Sequence, residues 1–84
     1  MAFQVRIKPR ARKEYDGLER KDRLRVAAVL LDISKDPFSG KKLEGEFRGC
    51  YTIRVWPIRI IYQIYKKELL VLVIRIRHRQ AAYK

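Results

Sequence analysis

The chain has 84 residues, room for one domain (1–84) with a core of modest size. Hydrophobic residues make up 48% of it, too many for a disordered chain, yet the longest apolar run, Leu69 to Ile74, is far too short to cross a bilayer. Twenty-one Lys and Arg against nine Asp and Glu leave a net charge of +12, which points to a polyanion or an acidic protein as partner.

The charge is uneven. Residues 1–46 carry twelve basic and eight acidic side chains, whereas residues 47–84 carry nine basic and one acidic, Glu68. An anion is therefore expected to settle on the second half. The one cysteine, Cys50, excludes an internal disulfide and a metal site built from thiolates; its expected role is that of a small packed hydrophobe. Met1-Ala2-Phe3-Gln4-Val5-Arg6 has no basic-then-apolar signal pattern, so a cytoplasmic protein without a membrane partner is expected.

Phe3, Val5 and Ile7 alternate with Gln4, Arg6 and Lys8, the period of a half-buried strand. Pro9 breaks it and opens a helix to about Leu18, with Ala11, Tyr15 and Leu18 on one stripe. In a second helix Leu24, Ala27, Ala28 and Leu31 recur at i, i+3, i+4 and i+7, and Val26, Leu30 and Ile33 widen that face. Asp22 is its expected N-cap, and Lys35-Asp36-Pro37 ends it, since the residue before proline avoids the helical region. After Phe38-Ser39-Gly40 the period becomes two. Strands are expected around Tyr51–Trp56, Ile58–Tyr65 and Leu69–Ile76, separated by Pro57 and by Lys66-Lys67-Glu68. The fold class is thus α+β, in the order β-α-α-β-β-β, a helical hairpin on a mostly antiparallel sheet.

Alternation also sorts the strand residues by face. Tyr51, Ile53 and Val55, then Ile58, Ile60, Tyr62 and Ile64, then Leu70, Leu72, Ile74 and Ile76 are expected to face the helices. Arg54, Arg59, Arg75 and Arg77 gather on the other side, with Arg79 continuing the parity and Trp56 and Tyr65 among them. Arginine grips phosphate with a rigid fork of donors, and aromatic rings offer platforms for bases, so this face reads as an RNA site. Lys41, Lys42 and Arg48 are candidate steering groups for phosphate. His78 falls on the opposite parity from Arg77 but has the right acid–base range to take part. Tyr15, Tyr51 and Tyr62 are expected in the core.

The run from Lys42-Leu43-Glu44-Gly45 through Tyr51-Thr52-Ile53-Arg54, Arg59-Ile60-Ile61-Tyr62 and His78-Arg79 to Tyr83 resembles the RelE/ParE family of toxins, and the N-terminal elements fit it in order and length. The resemblance implies a toxin neutralised by a cognate acidic antitoxin, with the toxin–antitoxin complex binding operator DNA. For a RelE-like member it implies cleavage of mRNA in the ribosomal A site without a metal or other cofactor. The catalytic roles then fall on Arg54, Arg59, Arg79 and Tyr83, and the RNA-binding roles on Lys41, Lys42, Arg48, Arg75, Arg77 and His78. Thr52 stands where well-known members have a lysine, which removes one charge. A ParE-like member would instead inhibit DNA gyrase, and a third reading is a weakly active RNA-binding relic of the same fold.

Overall fold

The computed structural model describes residues 2–78. Strand β1 (Gln4–Ile7) leads into helices α1 (Pro9–Asp16) and α2 (Arg20–Lys35). A short strand β2 (Lys41–Lys42) precedes β3 (Tyr51–Val55), β4 (Ile58–Tyr65) and β5 (Leu70–His78). The five strands form one sheet in the order β1-β5-β4-β3-β2, with β1 parallel to β5 and every other pair antiparallel. The α+β class and the β-α-α-β-β-β order are as expected; β2 is an addition. Among the described residues no helix is long and apolar enough to cross a membrane.

Both helices lie on one face of the sheet, and the core forms between them. Ala11, Leu18, Val26 and Ile33 meet Val55, Ile58, Ile60, Tyr62, Val71, Val73 and Ile76, with Tyr15 and Tyr51 packed at the margin. Tyr15 and Arg23 tie the helices together: the Tyr15 hydroxyl donates to the Arg23 carbonyl, and Arg23 donates to the Leu18 carbonyl at 2.6 Å.

Three expectations need correction. First, the buried stripe of α2 is Val26, Val29, Leu30 and Ile33, while Leu24 and Leu31 are 63% and 59% exposed. Both sets obey i, i+3, i+4, i+7, but they start two residues apart and so point in nearly opposite directions. Second, Glu19 occupies the N-cap position of α2, and Asp22 lies buried in its first turn. Third, Val71 and Val73 face the helices in place of Leu70, Leu72 and Ile74. A β-bulge is the reason: Tyr62 pairs with Val73 and Ile61 with Arg75, leaving Ile74 as the extra residue. Parity counted back from Ile76 is therefore inverted before the bulge.

Tyr62 closes the end of the core near β2. It is fully buried, stacks on Tyr51 at 5.9 Å between centroids, and donates its hydroxyl to the Pro37 carbonyl at 2.6 Å. Phe38 meets Tyr51 edge to face on one side and Phe3 on the other. Gly40 is required here, because a Cβ would collide with the Tyr62 hydroxyl. Burial pushes the Tyr62 hydroxyl up to about 12.

Replacing Tyr62 with Phe leaves the Pro37 carbonyl unpaired and should cost about 1–3 kcal/mol in urea unfolding at neutral pH. The folded pKa lies above the unfolded value near ~10, so the folded state holds the proton more tightly. Stability is fully present below pH ~10 and declines as pH rises toward 12. The Phe variant should lose that part of the alkaline decline, and an unchanged slope between pH 10 and 12 would contradict the assignment.

Candidate nucleic-acid interface

The far face of the sheet is built by register. Arg54 on β3 lies directly opposite Arg59 on β4, and Arg59 lies directly opposite Arg77 on β5. Three guanidinium groups thus stand in one row across three strands, on backbones about 5 Å apart. Like charges placed directly opposite repel. Yet among the described residues no carboxylate forms an ion pair with any of the three. Arg54 and Arg59 are exposed and Arg77 is half-buried.

The next row runs Lys41, Thr52, Ile61, Arg75. Ile61 is only 2% exposed, so the cations stand beside an apolar floor. The Thr52 hydroxyl donates to the Ile60 carbonyl at 3.0 Å. Thr52 brings no charge, but its cross-strand neighbour Lys41 does.

Arg75 differs from the others. Its guanidinium donates through Nη2 and Nε to the Glu14 carboxylate of α1, at 2.8 and 3.1 Å, and Glu14 also accepts the Ile76 N–H at 3.0 Å. Burial alone would raise the Glu14 pKa. The hydrogen bonds from Arg75 and Ile76 and the Arg75 charge outweigh it and hold the carboxyl below its usual range. Arg75, expected among the RNA-binding cations, is thereby already neutralised within the protein.

The remaining expected groups divide. His78 pairs with Ile58, a core-facing residue, and so keeps the helix-side parity expected of it. Lys42 pairs with Tyr51 on the helix side. With Arg48 and Lys66 it rims a cleft of about 460 Å³ walled by Phe38, Tyr51 and Ile64. Tyr65 pairs with Leu70, six residues along β4 from Arg59, roughly 20 Å away; its hydroxyl donates to Gln63. It therefore does not interleave with the arginine row, whereas Trp56, 55% exposed, follows Arg54 in the turn to β4. Arg79 and Tyr83 lie outside the described residues. No group of three or more metal-ligating side chains occurs among the described residues. Glu14 is the site-adjacent residue that the sequence did not reveal: its partners are about sixty positions away, with nothing local to mark them.

Residues 5–83 match the model of the ParE toxin of type II toxin–antitoxin systems. The chain belongs to this toxin family. Solved structures agree with the assignment. The chain is similar to the RelBE2 toxin–antitoxin complex of Mycobacterium tuberculosis, at 27% identity and a TM-score of 0.87, covering 94% of this chain and 100% of that one. It is similar to the Escherichia coli RelBE complex at 26% identity and a TM-score of 0.79, covering 92% and 96%. A YoeB/ParE toxin from Agrobacterium tumefaciens shares the fold at 18% identity and a TM-score of 0.77, covering 90% and 98%. Comparison with curated proteins gives no match.

An unneutralised arginine row is stabilised when an anion occupies it. Sulfate should therefore raise the toxin's Tm more than chloride at equal ionic strength, and Arg59→Ala should shrink that difference without lowering Tm in chloride. Identical sulfate increments in both proteins would show that the row binds no anion.

Proposed function

We propose that this toxin is of the RelE type, an endonuclease that cuts mRNA in the ribosomal A site. The observation that carries the reading is the in-register row Arg54–Arg59–Arg77, left without carboxylate partners. Cleavage of an RNA strand by its own 2′-hydroxyl forms a 2′-O–P bond and breaks the P–O5′ bond. Negative charge builds on the phosphorane between the two steps. Arginine forks aimed at those oxygens bind more tightly as the charge grows, which lowers the barrier. Arg54 and Arg59 take that role, with Arg77 and Lys41 holding the flanking phosphates. Arg79 serves the leaving 5′-oxygen electrostatically, since a guanidinium does not give up its proton. Tyr83, acting as its phenolate, accepts the 2′-hydroxyl proton or instead stacks on a base, and water protonates the leaving 5′-oxygen. The reading gives no step to a metal.

The match to the ParE model supports a second reading, inhibition of DNA gyrase on the same fold. A protein inhibitor of gyrase has no need of a clustered phosphate site, so the arginine row favours the first.

The partner in this reading is a cognate acidic antitoxin, and the M. tuberculosis and E. coli relatives were solved as toxin–antitoxin complexes. The exposed α2 stripe Leu24, Ala27, Ala28, Leu31 is its candidate seat. Arg20 and Lys21 lie one turn before Leu24, and Lys35 one turn after Leu31, so an amphipathic acidic helix finds both apolar and charged complements.

Expression in growing cells should arrest translation and leave mRNAs cut within codons, and Arg54→Ala or Arg59→Ala should relieve the arrest while the variants stay folded. Intact messages with induced DNA damage would transfer the function to gyrase. Separately, Leu24→Asp with Leu31→Asp should leave Tm nearly unchanged and weaken antitoxin binding about tenfold or more in calorimetry. Unaltered affinity would move the antitoxin elsewhere.

A further inference from the structure

Strand β5 buries Val71, Val73 and Ile76, a spacing of two and then three. Had the same residues run in strict alternation with no bulge, the parity set by Val71 and Val73 would turn Arg75 and Arg77 toward the helices. The bulge at Ile74 reverses the parity and brings Arg77 to the face that carries Arg54 and Arg59. The bulge is held from outside the sheet. β1 ends at Ile7, and its last bond to β5 is from the Lys8 N–H to the Val73 carbonyl at 2.9 Å. Beyond that point Glu14 takes over, accepting from the Ile76 N–H and from Arg75, the two residues that follow Ile74.

We propose that Glu14 is a positioning residue for the arginine row: its carboxylate pins the β5 bulge, and the bulge puts Arg77 beside Arg59. This rests on the reading of the row as a phosphate site. It differs from a general stabilising contact in the sign of its consequence. Removing a carboxylate raises the net charge above +12, which by itself strengthens RNA binding. Loss of the pin does the opposite.

The test measures binding of a labelled single-stranded RNA oligonucleotide to the full chain at fixed salt. The proteins are wild type, Glu14→Ala, Arg77→Ala and the double variant, with Arg54→Ala and Arg59→Ala as references. Glu14→Ala should weaken binding by about threefold or more, and Arg77→Ala should cost much less in that background than in wild type. Unchanged or tighter binding by Glu14→Ala, or fully additive losses, would overturn the proposal.

If Glu14→Ala does not fold, Glu14→Gln takes its place; it keeps an acceptor for the Ile76 N–H but not the charge that holds Arg75. Should Arg54→Ala and Arg59→Ala leave RNA binding untouched, the phosphate reading fails. The pinning is then decided by the backbone contact between Arg59 and Arg77 in nuclear Overhauser spectra. Its loss in the Glu14 variant supports the pin, and its persistence refutes it.

Discussion

Strand β5 must satisfy two demands on nine residues. Its first half lies between β1 and β4 and supplies Val71 and Val73 to the core. Its second half carries Arg77 to the opposite face, in line with Arg54 and Arg59. Strict alternation cannot meet both demands, because Val73 and Arg77 are an even number of residues apart and would share a face. One extra residue resolves the conflict. The bulge leaves the backbone irregular where β1 has ended, so the N–H of Ile76 needs an acceptor from another element. Glu14 is that acceptor. The first helix therefore does more than cover the core: it completes the strand that carries one member of the arginine row.

The rest of the molecule keeps the two faces of the sheet apart. On the helix side, the apolar side chains of α1, α2 and the strands are closed off at one end by the Phe3–Phe38–Tyr51–Tyr62 ring contacts. Tyr62 anchors the turn of 3-10 helix at Pro37–Ser39 through the Pro37 carbonyl, and that turn leads directly into β2. β2 is only two residues long, but pairing Lys41 with Thr52 sends Lys41 to the far face and Lys42 to the cleft. A hydroxyl buried in the core thus fixes the approach to the strand that supplies Lys41, much as a carboxylate on α1 fixes the position of Arg77.

The legible parts of the sequence were those governed by a single period. β3 and β4 alternate without interruption, so the facing of Arg54 and Arg59, and of Tyr51 and Tyr62, followed from counting. Two periods coexist in α2, and counting alone could not choose between Leu24–Leu31 and Val26–Ile33. The sheet takes the set rich in β-branched residues, Val26, Val29, Leu30 and Ile33, and the other set is left to solvent. In β5 a continuous apolar run gives no alternation from which to detect a slip, so the bulge is invisible to counting, and parity taken from Ile76 turns residues 70–74 to the wrong face. Lys41–Lys42 has neither length nor apolar content to announce a strand. The Glu14–Arg75 pair depends on α1 crossing the end of β5, a relation that exists only in the folded chain.

The arginine row and the exposed stripe of α2 together bear on how a partner could silence the toxin. The arginine row lies on one side of the sheet, and the exposed stripe of α2 lies on the outer side of the helical layer. The distance between them is set by a layer of sheet and a layer of helix, roughly 20 Å. The molecule itself measures 36 × 28 × 21 Å. A single rigid helix seated on Leu24 and Leu31 cannot also reach Arg59. A partner that covers both must pass around an edge of the sheet in an extended segment of about six residues or more. An acidic chain that is flexible before binding suits that path: its apolar helix would gain its affinity on the α2 seat proposed above, and the following segment would bring carboxylates to the row at high effective concentration. Neutralisation would then need no second strong site at the arginines, because their mutual repulsion already favours any anion held nearby.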